Sequence, residues 1–255
     1  VEMQRVFERL AVFAGGWTLE AAAAVMGEDL DEFEVLDLMT GLVDKSLVLV
    51  GREGRSPRYR MLETIRQFAQ ERLSESGPGD EARGRHLDFY LALVEDAEAH
   101  LYGPQQGEWF RRLDQELENI LVAHDWSDRA DGGAEKGLRL AGGMRLFWIV
   151  RGHFDLGLRT TRQALDREGA ALATAARGRA LSSGGLLAHR VGDQESARAL
   201  LEESISIAHS VGDHSGAARG LNFLGIVTFT RGDARAAHGY LEGAIALAEG
   251  VDRAS

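Results

Sequence analysis

Apolar residues in the first 75 positions follow two periods. In "VFERLAVF" Val6, Leu10 and Phe13 recur on one helical face, and "GGW" breaks the run. Thr18, followed by Glu20 and Ala21, is placed to cap the short helix "LEAAAAVM", which Gly27 closes. Asp31 caps "EFEVLDLMTGLVDKSL", where Phe33, Leu36, Leu38, Leu42 and Leu47 are read as the apolar side. "LVLV" (47–50) and "RYRM" (58–61), either side of a turn over 51–57, are predicted as the strands of a β-hairpin. In "YRMLETIRQFA" the period changes from extended to helical, with Ile65, Phe68 and Ala69 at i, i+3, i+4.

Helix, helix, helix, hairpin, helix is the order of a winged helix, so residues 1–75 are predicted to be a winged-helix domain. The polar stretch 76–85, with Gly77, Pro78 and Gly79, has no apolar period and reads as a linker. Residues 86–133 read as linker helices, with Leu87, Tyr90, Leu91, Val94 and Leu101 on one face and Leu113, Leu117, Ile120, Leu121 and His124 on the next. From 134 to 255 a repeat emerges: Gly152, Gly192 and Gly232 stand 40 residues apart, and the same shift aligns Leu146, Leu186 and Ile226. Beyond the glycine it aligns Gly157, Ala197 and Ala237, then Leu165, Ile205 and Ile245. This describes helix, tight turn, helix, with the glycine where the backbone turns left-handed and Asp193 and Asp233 as N-caps. One such pair cannot bury its apolar face alone, so neighbours stack into a superhelix. The last residues, "VDRAS", follow a second helix directly with no polar capping helix, which implies an array continuing in a longer protein. The fold class is therefore mainly α: a small winged-helix domain followed by an α-α superhelix.

Composition narrows the chemistry. The chain has no cysteine, which excludes disulfides and thiolate zinc sites and fits a reducing cytosol. Only three prolines occur in 255 residues, as a helical protein requires. No long uncharged apolar run is present, so no membrane segment is expected. A formal net charge of -11 opposes binding to a phosphate backbone. The eight histidines form no H-E-x-x-H or paired i, i+4 set, no G-x-S-x-G elbow accompanies the serines, and no G-x-x-x-x-G-K-[ST] loop is present. Neither catalysis nor a metal or cofactor is expected in this chain.

The repeats resemble tetratricopeptide repeats. Leu181 and Gly185, and Leu221 and Gly225, match the family's first-helix leucine and glycine; Gly192 and Gly232 match its turn, and Ala197 and Ala237 its second-helix alanine. The repeat is longer than the usual length of about 34 residues, and Arg145 replaces the glycine in the first copy. "RLAVFAGGWTLEAAAAV", "VLDLMTGLVDKSLV" and "YRMLETIRQFAQERL" resemble the winged helix that follows the nucleotide-binding domain of bacterial STAND regulators, especially large LuxR-type and AfsR-like transcriptional regulators. "HLDFYLALVEDAE", "ELENILVAHDW" and "LFWIVRGHF" extend the resemblance over nearly the whole chain. It implies an upstream ATPase module using ATP or ADP, a winged helix that locks it, and repeats that sense a protein, peptide or small inducer. In such switches the joint after the hairpin often reads Met-His-Asp, and its histidine reaches the nucleotide phosphate. Here Met61, Leu62 and Glu63 stand there, and leucine can form no such bond.

Two residue sets follow. Matching to the repeats puts Arg179, Ser182 and His189, then Arg219, Asn222 and Phe229, on a concave partner-binding groove. The wing arginines Arg52, Arg55, Arg58 and Arg60, with Glu63 and Thr64, are candidates for contact with the ATPase module. The start of the third helix carries Asp31, Glu32, Glu34 and Asp37, so direct DNA reading is not expected there. A stand-alone peptide-binding scaffold and a DNA binder using the wing remain as alternatives.

Overall fold

The caps read from the sequence form as local chemistry dictates. Thr18 Oγ1 accepts from Ala21 N–H, and Asp31 and Glu34 make a reciprocal capping box. The computed structural model describes residues 2–53, 56–75 and 79–252, and the side chains of 52, 53, 56, 251 and 252 lie outside that description. The chain divides into an N-terminal body, Val1–Ala130, and a C-terminal body, Asp131–Ser255.

The N-terminal body starts with α1 (Glu2–Arg9), a 3₁₀ turn (Leu10–Val12), α2 (Leu19–Met26) and α3 (Glu32–Asp44). Strands β1 (Leu49–Glu53) and β2 (Ser56–Arg60) follow, then α4 (Glu63–Glu75), completing the winged-helix order. The strands are shifted toward the turn: residues 51–53 and 56–57, expected in the turn, continue the ladder down to Glu53 opposite Ser56, while Leu47, Val48 and Met61 lie outside the strands. Pro57 is tolerated because its nitrogen, like that of Tyr59 two residues on, faces away from β1. Trp17 exchanges backbone bonds of 2.8 and 2.9 Å with Tyr59, so the segment before α2 adds a short third edge. On α3 the buried stripe is Val35, Met39 and Leu42, while Phe33 faces out at 80% exposure. Positions 33 and 35 lie about 200° apart on a helix, so burying one turns the other outward.

The expected linker is largely absent. Residues 76–78 lie outside the described residues, and α5 (Gly79–His100) begins directly after them. Ala82 is buried, and Arg85 reaches α2, donating to the Met26 carbonyl at 2.9 Å. Arg9 donates to the same carbonyl, also at 2.9 Å, so two guanidiniums meet the negative end of α2. Gly27 is favoured there by its left-handed φ of +76, which a residue with a Cβ rarely adopts. With α6 (Gln106–Trp126), α5 belongs to the same body as the winged helix. Its core is aromatic: Phe13 stacks on Trp17 at 5.2 Å, and His86 and Tyr90 close around Phe13.

The C-terminal body is wholly helical among the described residues: α7 (Gly133–Gly143), α8 (Arg145–Arg151), α9 (Phe154–Asp166), α10 (Ala175–Val191), α11 (Gln194–Ser210), α12 (His214–Thr230) and α13 (Ala234–Asp252). Gly152, Gly192 and Gly232 turn the chain at φ +71, +91 and +88. Asp193 and Asp233 cap the helices that follow, accepting from Ser196 and Ala236. Hydrogen bonds from Ser196 and then Arg162 hold the Asp193 carboxyl below the usual carboxylate range. Gly185 and Gly225 lie against Leu201 and Leu241 of the paired helix, with no room for a Cβ. The first repeat departs from the others: its leading helix breaks at Met144 into α7 and α8.

Candidate functional site

Helix α10 packs against α7 on one side and α12 on the other, so the leading helices of successive repeats lie side by side. Arg179 and Arg219 therefore occupy the same register on neighbouring helices, both half-buried. The 40-residue shift adds Arg139 on α7, a residue the sequence matching passed over because the first repeat was treated as degenerate. Arg145 places its guanidinium 5.2 Å from the Phe223 ring, joining the first repeat to the third by a cation–π contact. Asn222 is exposed, and Phe229 is 65% exposed, an aromatic left in water. His189 is half-buried and its Nδ1 lies 3.0 Å from Gln194 Oε1, which orients the ring. Ser182 does not line an open groove: it is 2% exposed and its hydroxyl has no partner. The packing of α10 between its two neighbours covers it, which the repeat alignment alone cannot show.

The wing set is split by the structure. Arg55 lies outside the described residues, and so does the side chain of Arg52. Arg60 and Thr64 are exposed. Glu63 opens α4 facing solvent, and hydrogen bonds from Arg66 and Gln67 hold its carboxyl below the usual range. Leu62, at the joint, is 52% exposed. Arg58 turns inward instead of presenting itself to a partner. Its guanidinium pairs with Glu116 of α6 and donates to the carbonyls of Gly16 and Gln115 at 3.2 and 2.8 Å.

That inward turn exposes a polar node that the sequence reading missed. Glu116 Oε2 also accepts from Tyr90 Oη at 2.9 Å and Asn119 Nδ2 at 3.0 Å. Asn119 in turn donates to the Gly16 carbonyl at 2.7 Å and accepts from Ala14 N–H at 2.8 Å. Burial and the Glu116 carboxylate push the Tyr90 phenol upward, so it stays a donor. One network thus ties wing, pre-α2 loop, α5 and α6. Its only trace in the sequence is that Glu116 and Asn119 interrupt the apolar stripe Leu113–Ile120 of α6. Among the described residues no three His, Asp or Glu side chains gather as a metal site.

Residues 2–74 match the winged helix-turn-helix domain family. This segment is a winged helix-turn-helix domain. Over 98% of its length the chain is 36% identical to "Putative HTH-type transcriptional regulator Rv0890c" of Mycobacterium tuberculosis, and equally to the Mycobacterium bovis counterpart. It spans 29% of the length of those relatives. An uncharacterized M. tuberculosis protein is 42% identical over 83 residues, 32% of this chain and 21% of its own length. A crystal structure of a signal transduction ATPase with numerous domains (STAND) protein with a tetratricopeptide repeat sensor, from Pyrococcus horikoshii, aligns over 99% of this chain and 45% of its own. Its TM-score is 0.34 and its identity 13%.

Proposed function

We propose that this chain is the regulatory segment of a transcriptional regulator of the STAND, LuxR-like plan, in which the repeats bind an acidic protein or peptide partner. The observation that carries this reading is the arginine register Arg139, Arg179 and Arg219 on adjacent helices, with exposed Asn222 one turn beyond Arg219 and exposed Phe229 near the end of the same helix. A row of guanidiniums suits carboxylates, and an exposed aromatic supplies an anchor. Binding there favours one stacking of the repeats, and only a differential affinity between two stackings passes on as a signal. The receiving element is an upstream ATPase module, docked on the exposed Arg60, Leu62 and Thr64 edge of the winged-helix domain. The test is an array of acidic and basic peptides probed with the whole chain. Acidic sequences bind, and Arg179→Glu with Arg219→Glu lowers their affinity at least about tenfold, as the loss of one or two charge-assisted bonds implies. Equal retention of lysine-rich peptides would end this reading.

The winged helix serves as a docking module rather than a DNA reader. The first turn of α3 presents Asp31, Glu32 and Glu34, and Arg58 is committed to Glu116. Carboxylates at the end of a recognition helix repel phosphates. Fluorescence anisotropy with duplex DNA at low salt should show no binding; salt-sensitive binding that Arg60→Glu removes would establish the DNA reading instead.

A further inference from the structure

The first repeat breaks the pattern of the other two at one position. In the second and third repeats the leading helix lays Gly185 and Gly225 against Leu201 and Leu241 of the paired helix. The 40-residue shift puts Arg145 at that place in the first repeat, and a contact that leaves no room for a Cβ in its counterparts cannot hold an arginine. The leading helix breaks one residue earlier. Met144 closes α7 and opens α8 with ψ -4, far from the helical value of about -42°. The Arg145 guanidinium stands 5.2 Å from the Phe223 ring of α12, two repeats away.

That contact crosses a whole repeat, because α10 packs against α7 and α8 as well as against α12. Small side chains on α10 let it pass. The shift that leads back from Phe223 gives Ser183 on α10, fully buried with its hydroxyl donating to the Ala141 carbonyl at 3.4 Å, and then Gly143 on α7. Only α12 carries a ring at this position. In a stack of repeats each unit touches its neighbours alone, so the stacking is set interface by interface. A side-chain contact between the first and third repeats adds a constraint that neither interface contains. Phe223 is 8% exposed and Arg145 half-buried, so water shares this cation–π attraction only in part.

We infer that Arg145 and Phe223 form a strap that holds the three repeats in one stacking, and that an acidic occupant of the arginine row releases it. The release rests on the acidic-partner reading of the repeats; the strap does not. Arg219 lies one turn before Phe223 on the same face of α12, so a carboxylate held by Arg219 competes with the ring for the Arg145 guanidinium. A charge-assisted hydrogen bond outweighs a cation–π contact at a half-exposed site. Strap closed and strap open are then the two stackings between which an occupant discriminates.

The chain has no cysteine, so Arg159→Cys on α9 and Gly239→Cys on α13 carry two spin labels at unique sites. Both positions are exposed, and two 40-residue shifts relate them, which makes them equivalent places on the trailing helices of the first and third repeats. Their separation in the whole chain, measured by double electron–electron resonance, reads the stacking. Arg145→Met keeps the stem without the charge and should displace and broaden the distance distribution, whereas Arg145→Lys keeps a cation and should stay close to the parent. Amides of α8 should lose about two- to fivefold in exchange protection in Arg145→Met, the worth of one such contact. Phe223→Leu should reproduce Arg145→Met, and the double variant should go no further; if circular dichroism shows Phe223→Leu unfolded, the Arg145 variants decide. An unchanged distribution in Arg145→Met overturns the strap. Hexaglutamate probes the release: at saturation it should move the parent toward the Arg145→Met distribution and leave Arg145→Met where it is. Hexaglutamate that binds by calorimetry without moving the distribution overturns the release and leaves the acidic-partner reading standing. No binding of hexaglutamate also overturns the release, and the peptide array then judges the reading on which it rests.

Discussion

Replacing Glu116 by alanine is expected to destabilise the N-terminal body by about 3–5 kcal/mol, the range for breaking a buried ion pair from one side. The change strands three groups at once: the Arg58 guanidinium, the Tyr90 hydroxyl and one hydrogen of the Asn119 amide. All three sit where water cannot replace the carboxylate fully, because Tyr90 and Asn119 are entirely buried. Arg58→Met combined with Glu116→Leu removes the charges together and should recover most of the loss, since apolar side chains of similar volume often match a buried pair. Urea unfolding followed by tryptophan fluorescence measures this in a Trp148→Phe background, where Trp17, Trp109 and Trp126 of the N-terminal body remain as reporters. A loss below about 1 kcal/mol, the level of an exposed pair, would show that the network does not hold the wing to α6.

The same network marks the limit of what the sequence discloses. Periodicity suffices for α1, α2 and the repeat helices, because each buries a regular stripe, and the caps Thr18, Asp31, Asp193 and Asp233 follow from side-chain chemistry acting over three residues. By sequence Arg58 is a partner-facing charge, because nothing local reveals that residue 116 faces it from α6. Residues 79–85 resemble a linker in sequence because their glycines and charges imitate a loop. Their order comes from distant partners, with Arg85 on the α2 carbonyl and Arg83 5.2 Å over the Trp126 ring. Phe33 looks inward by hydrophobicity alone, but the rotation of α3 about its axis is fixed by Val35, Met39 and Leu42, which turns Phe33 outward. At the repeats Arg179 and Arg219 are legible from the 40-residue shift, and Arg139 only once the first repeat is counted with the others, while the burial of Ser182 depends on how closely α10 approaches its neighbours. The contact of Arg145 with Phe223 is not legible at all, since a repeat period says nothing of contacts that cross a whole repeat.

Two glycine-to-alanine changes on the trailing helices of the repeats should have opposite signs. In Gly157→Ala the new methyl would stand 2.6 to 2.9 Å from the Trp148 side chain, itself fully buried and unable to retreat. Overpacking of this kind costs roughly 1–3 kcal/mol, partly offset by a helix-propensity gain of up to about 1 kcal/mol. Gly239→Ala on α13 meets nothing within 4 Å and keeps only the gain. Hydrogen exchange of the α8–α9 and α13 amides reads each effect locally, which suits a repeat array better than a single global midpoint. The reason for the contrast lies in the repeat itself. Position 148 shifts by 40 onto Ala188 and then Thr228, while position 157 shifts onto Ala197 and Ala237. Where the leading helix is small, the trailing helix carries alanine; where it carries Trp148, the trailing helix must give up its Cβ. Trp148→Leu should therefore relieve Gly157→Ala, so that the double variant loses less stability than the two single variants added together. Strict additivity would mean that the bulk of Trp148 is accommodated by movement of the helices rather than by the missing Cβ.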